Sequence, residues 1–290
     1  MAKPPSRSSI IAFATVATAT RICREHPTLP WVDVRGALIY AAFELVAKRG
    51  GLWAAPIELV APSFPVSAAY VARVLLEELM PEGELSPEEF GHVHEVLSEY
   101  GAVEGVLAPV GGRKKGGVHF TPREMADKVT TRTLDPLLGC LRNKQAELTS
   151  ADVLSLRVCD PACGAGAFLL SVVRQLGELC SELSGADLAE SKRLVAMTVI
   201  RGVDKCPFAV YASKLALRLE CRAGKSVPAT WLDHAIKHGD ALVGLDAGQV
   251  ASFSWKKGQP EIPWLRELVD DAIAKGAKAA VLRKLDREAG

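Results

Sequence analysis

The chain has 290 residues, 49% of them hydrophobic and 24% charged, with a formal net charge of +1. That balance describes a soluble globular protein of one large or two medium domains, without the basic excess that marks a nucleic-acid-binding chain. Seven cysteines at scattered spacings, none in a C-x-x-C pair, argue against a disulfide framework or a zinc site and for a reducing cytoplasm.

Lys3 and Arg7 precede an apolar run over 10–19, the layout of a signal peptide. The run is rich in Ala and Thr, and Arg21 and Arg24 follow closely, so an N-terminal helix is the better reading. No stretch is long enough to span a membrane. Apolar residues recur at helical spacing over 31–47, 68–80 and 88–97, with turns at Gly50-Gly51, 62–65 and 81–83. Residues 1–110 therefore read as a helical N-terminal domain. Gly111-Gly112-Arg113-Lys114-Lys115-Gly116-Gly117 opens a linker over 111–118. Its three basic residues could meet a nucleic-acid backbone, although a solvated linker is the simpler account.

Next comes His119-Phe120-Thr121-Pro122-Arg123-Glu124. Thr121 suits a helix N-cap, Pro122 a first helical position, and Glu124 completes a capping box. Leu156, Val158 and Cys159 form an apolar strand that runs into Asp160-Pro161-Ala162-Cys163-Gly164-Ala165-Gly166-Ala167-Phe168. Gly164 and Gly166 permit positive φ and close approach by a ligand. A helix then begins at Phe168. The loop lacks a Gly-Lys-Ser/Thr ending and Gly-x-Gly-x-x-Gly spacing, so it is neither a phosphate cradle nor a dinucleotide fingerprint. Its opening acid would repel a pyrophosphate and suits a ligand that carries an ammonium group.

Residues 198–204 read as a second strand ending in Asp204, followed by Lys205 and a helix over 207–220. An acid at a strand's carboxyl end can accept both hydroxyls of a ribose. A third strand is expected over 235–240, ending Gly239-Asp240-Ala241-Leu242. His234 and His238 lie four apart, but no third ligand is near and a strand is expected there, so no metal site is assigned. Residues 251–290 carry helical periodicity from Trp264 to Leu285 and no strong strand run.

The loop at Asp160 resembles the S-adenosylmethionine loop of the N6-adenine DNA methyltransferases, whose pattern is Asp-Pro-Ala-Cys-Gly-x-Gly-x-Phe. Phe120-Thr121-Pro122 is similar to that family's motif X, Asp204-Lys205 to motif II, and Gly239-Asp240-Ala241-Leu242 to motif III. The resemblance covers roughly 118–245. It implies an α/β fold: a Rossmann-like class I methyltransferase sheet, incomplete here, preceded by helices. It implies S-adenosyl-L-methionine as cofactor, in a domain over 119–250. The cofactor set carried over is Phe120, Thr121, Pro122, Asp160, Pro161, Ala162, Cys163, Gly164, Gly166, Phe168, Asp204, Lys205, Asp240 and Ala241. Within it Thr121 contacts the methionine end, Asp160 faces the amino group, Asp204 holds the ribose and Asp240 the adenine. Backbone groups of Ala162, Cys163 and Gly164 line the methionine moiety. The implied reaction is direct methyl transfer to adenine N6 of DNA, without a metal.

The sequence departs from the family in one respect. The catalytic Asn/Asp/Ser-Pro-Pro-aromatic tetrapeptide occurs nowhere in it. That motif accepts the two N–H protons of the adenine amine and stacks on a flipped base. No catalytic residue is therefore assigned. The chain resembles the front half of a longer restriction–modification or phage-defence enzyme, with 251–290 as an insert or truncated tail. A second chain or segment would carry the catalytic motif and target recognition. The competing expectation is a catalytically inactive subunit that binds S-adenosylmethionine or serves in assembly. A methyltransferase acting on RNA or protein, or a dinucleotide oxidoreductase, fits the loop less well.

Overall fold

The computed structural model describes residues 6–49, 86–110, 121–144, 147–224 and 227–242. Phe120, the linker at 111–118, the expected helix over 68–80 and the segment 251–290 lie outside the described residues. By contacts, Met1–Gly239 forms one compact unit and Asp240–Gly290 a second. No helix among the described residues is long and apolar enough to cross a membrane.

Three N-terminal helices are described: α1 (Arg7–Glu25), α2 (Trp31–Arg49) and α3 (Pro87–Leu97). α3 opens with a complete capping box, in which Ser86 accepts from the Glu89 amide and Glu89 accepts from the Ser86 amide. The described N-terminal part is mostly helical, as its periodicity suggests, and also holds two short strands that the periodicity does not reveal. β1 (Tyr100–Val103) and β2 (Val106–Pro109) form an antiparallel hairpin. Glu104 and Gly105 make its two-residue turn with φ of 52° and 79°, the mirror-image turn that matches strand twist. Four-residue strands are too short to announce themselves by periodicity.

The helix α4 (Arg123–Lys144) leads to α5 (Ser150–Ser155) and then to the parallel sheet. The sheet consists of β3 (Val158–Asp160), β4 (Ile200–Asp204) and β5 (Ile236–His238), in the order β3-β4-β5. Val158 pairs with Ile200 and Gly202 with Ile236. Parallel neighbours need long crossovers. Here α6 (Ala167–Ser184) and α7 (Leu188–Thr198) join β3 to β4, and α8 (Pro207–Glu220) with a 3-10 turn (Ala229–Leu232) joins β4 to β5. The expected strands appear two or so residues shorter than read from the sequence.

α6 is the central helix. Leu169, Leu170, Val172, Val173 and Leu176 are all buried, each worth roughly 1.5–3 kcal/mol relative to exposure. Opposite them Ile200 and Ile236 are fully buried. Gly202 of β4 lets this helix come close. A Cβ there would lie 2.8 Å from Leu169 Cδ1 and 3.2 Å from Cys163 Sγ. The result is a mixed α/β fold, mostly helical, with small and incomplete sheets, consistent with part of a methyltransferase-like fold.

Candidate functional site

The loop between β3 and α6 is stitched to the end of β4. The Cys163 amide donates to the Val203 carbonyl at 2.9 Å, and the Gly164 amide to Asp204 Oδ2 at 2.8 Å. The Gly166 amide closes the turn onto the Cys163 carbonyl at 2.8 Å, and Gly166 becomes the left-handed N-cap of α6 with φ 88°. Gly164 has φ 53°, and a Cβ built on it would meet nothing within 4 Å. A side chain there would be strained, and the space it would enter is open. Both glycines therefore hold the positive φ that the spacing suggests.

Two acids stand at the carboxyl ends of β3 and β4, the place where ligands bind in open α/β sheets. They differ in how the protein satisfies them. Asp204 accepts from Gly164 N–H at 2.8 Å on one oxygen and from Cys206 N–H at 2.7 Å on the other. Each carboxylate oxygen has a second lone pair, so hydroxyl donors can still be received. Asp160 accepts from the Ala162 amide at 3.1 Å through Oδ1. Its Oδ2 is buried and has no partner. Burial raises the Asp160 pKa, the Ala162 bond opposes this, and the neighbouring Asp204 raises it further. A cation placed against Oδ2 would reverse both unfavourable effects.

Cys163 is buried beside both acids, and burial with their two charges pushes its thiol up to about 12. It is a packing group, inert as a nucleophile. Pro161 and Ala162 are exposed at the loop's outer side, and Phe168 is half-buried in the first turn of α6. Lys205 is exposed, and its carbonyl accepts from His238 Nε2 at 3.0 Å. His234 Nε2 bonds the Met197 carbonyl at 2.8 Å, so the two histidines are tied to separate backbone groups. The Gly239 amide donates to the Asp204 carbonyl at 3.0 Å, which fastens the end of β5 to the same strand. Asp240 and Ala241 belong to the second unit, where Asp240 Oδ1 accepts from the Leu242 amide at 3.0 Å.

The helix expected to begin at Pro122, with Thr121 as its N-cap, starts one residue later. The Ala126 amide bonds the Pro122 carbonyl at 3.1 Å, and α4 runs from Arg123. No hydrogen bond among the described residues joins Thr121 to Glu124, so the capping box is not made. The helix is instead fixed along its side to α6. Ser171 Oγ donates to Asp127 Oδ1 at 2.6 Å, and Gln175 Nε2 to the Asp127 carbonyl at 3.3 Å.

Residues that belong to none of the motifs complete the surroundings. Arg35 and Phe208 meet behind Asp204, and Arg174 joins several helices at one buried point. The sequence signal for both arginines is a lone cation within an apolar helical run.

No family model matches the chain, and no solved structure matches it. Over 150 residues it is 28% identical to the adenine-specific methyltransferase PglX of Streptomyces coelicolor, covering 49% of this chain and 11% of that protein. Over 197 residues it is 24% identical to a protein of Methanocaldococcus jannaschii named as a type II restriction enzyme and methyltransferase, covering 56% of this chain and 16% of that one. The chain thus spans a small part of the length of either relative, and these distant, partial matches relate it at a coarse level to methyltransferases of restriction–modification type.

Proposed function

We propose that this chain is the S-adenosylmethionine-binding portion of a DNA adenine-N6 methyltransferase. The observation that carries the reading is the buried, unpartnered Oδ2 of Asp160 beside the open backbone of Gly164. A buried carboxylate oxygen without a donor is costly, and the amino group of a bound amino-acid moiety is a donor of the right charge. Asp204, oriented by two amides, is the acceptor for ribose hydroxyls. The positive-φ backbone at Gly164 leaves room for the methionine chain to lie against the loop. Thr121, Asp240 and Ala241 carry their roles on the motif resemblance alone.

When bound, S-adenosylmethionine supplies an electrophilic methyl group on a sulfonium. The described residues of the site bind and orient it. A partner chain or further segment supplies the catalytic tetrapeptide and DNA recognition. The missing tetrapeptide favours a second reading, in which the chain binds cofactor or assembles with a partner without catalysis.

Calorimetric titration of the full chain with S-adenosylmethionine tests the proposal. Saturable one-to-one binding is expected, weakened about 10- to 100-fold by Asp160→Ala or Asp204→Ala. No binding by a folded sample, or affinity unchanged from wild type in both variants, would overturn the assignment.

A further inference from the structure

The N-terminal helices reach the back of this site at two points. Gly91 of α3 lies against the cofactor loop, where a Cβ on it would come within 2.9 Å of Ala165 Cβ. Arg35 of α2 reaches the first turn of α8. Its guanidinium carbon stands 4.3 Å from the centre of the Phe208 ring. One terminal nitrogen donates to Ser98 Oγ at 3.3 Å, and Ser98 donates on to the His94 carbonyl at 2.8 Å. The Cys206 thiol lies beside the same guanidinium.

The position of this cation matters because its neighbour Cys206 also holds the ribose-binding acid. Cys206 is the N-cap of α8, and its amide is one of the two that hold the Asp204 carboxylate, at 2.7 Å. Arg35 thus touches both sides of the Cys206-Pro207-Phe208 corner. Burying a guanidinium here is expensive. Its Nε is buried without a partner, and burial lowers its pKa, with Cys206 opposing. An aliphatic side chain would fill the space at lower cost. A planar cation stacked on the ring does something an aliphatic group cannot: it fixes the ring's plane and so the direction of the corner.

We propose that Arg35 is a positioning residue for Asp204. The N-terminal helical segment then acts as the rear clamp of the cofactor site, with α3 backing the glycine loop and Arg35 backing the ribose-binding acid. The proposal rests on the reading of this site as one for S-adenosylmethionine.

The test compares wild type, Arg35→Met, Arg35→Lys and Phe208→Leu in the full chain. It combines titration with S-adenosylmethionine and amide hydrogen exchange. Arg35→Met should weaken binding about tenfold, and Arg35→Lys, which keeps a charge over the ring but not the plane that fixes it, should restore only part of that loss, leaving affinity about three- to fivefold below wild type. In Arg35→Met the amides of Gly164 and Cys206 should lose protection, while that of Leu170, bonded to the Gly166 carbonyl, should keep it. If Arg35→Met does not fold, Phe208→Leu, which removes the ring under the cation, replaces it, with the same loss of about tenfold in affinity and the same loss of protection at Gly164 and Cys206 expected. Unchanged affinity, unchanged protection at Gly164 and Cys206, or an equal loss at Leu170 would each overturn the clamp. Absence of binding by wild type would overturn the cofactor reading instead, and the exchange pattern would still decide whether Arg35 positions the corner.

Discussion

Two ends of one stretch of structure treat charge in opposite ways. Just before α6 begins, Asp160 keeps a buried oxygen without a donor, next to the like charge of Asp204. Two turns into the same helix, Arg174 is 8% exposed and every carboxylate around it has a cation, although Glu88 Oε2 is buried without a partner of its own. It donates to Glu88 Oε1 at 2.6 Å and to Glu220 Oε2 at 2.7 Å, with Asp127 at 3.5 Å. Lys192 completes Glu220 at 2.7 Å. The fold can bring cations to buried carboxylates, and around Arg174 it does so from several helices. No ion pair among the described residues reaches Asp160. On the proposed function, Asp160, with no cation beside it and open backbone at Gly164, is the acid for a ligand to complete, whereas Glu220, paired with Arg174 and Lys192, belongs to the architecture.

The largest expected effect lies at the completed end. Arg174→Met would leave Glu88 and Glu220 buried without their main partner, at a cost of about 3–5 kcal/mol. Urea denaturation should show this loss, and adding Glu220→Met should recover part of it. Affinity of the folded variant for S-adenosylmethionine should change by less than about threefold, since Arg174 only holds helices together. A much larger loss of affinity without a loss of stability would erase the contrast between the two ends.

The two loop glycines sharpen the comparison at the open end. Gly166→Ala combines φ 88° with a Cβ 2.6 Å from Ser213 Oγ, and should cost about 2 kcal/mol or more in thermal or urea unfolding. Gly164→Ala, at φ 53° with nothing within 4 Å, should cost only about 1 kcal/mol. Its methyl group would occupy the ligand's space, so affinity should fall about tenfold or more. Equal stability losses in the two variants would mean that the space at Gly164 is not open.

The open end was largely legible in the sequence, because glycine spacing and an acid at a strand's end state their geometry locally. β4 and α8 were readable from a strand that stops at an acid and a proline that opens the next helix, whereas β5, Ile-Lys-His, was placed with the Gly-Asp that follows it. The completed end was not legible. Arg174, Glu88 and Glu220 are separated by 86 and 46 positions, and only folding shows that they meet. Arg35 and Phe208 escaped for the same reason. The hairpin at Tyr100–Pro109 was missed because its strands are short. The capping box at Thr121 was expected from residue types alone, but the helix begins only after Pro122, beyond the reach of the threonine side chain.

The subtlest difference between the two ends is the sign of their pH dependence. Burial raises Asp160, with Ala162 opposing and Asp204 adding to it, so its folded pKa lies above 3.8. Its contribution to stability is full below that value and is lost as pH rises through the folded pKa. Burial also pushes Glu220 up, but the bonds and charges of Arg174 and Lys192 outweigh it, so its folded pKa lies below 4.5. Its contribution is present above 4.5 and is lost as pH falls through the folded value. Urea midpoints across acid to neutral pH should therefore diverge. Relative to wild type, Asp160→Asn should gain stability toward neutral pH, whereas Glu220→Gln should lose it. Parallel profiles would mean that the two acids do not differ in kind. Saturating S-adenosylmethionine should then invert the first result, because a ligand that binds wild type more tightly stabilises it by RT ln(1 + [L]/Kd), leaving Asp160→Asn the weaker of the two.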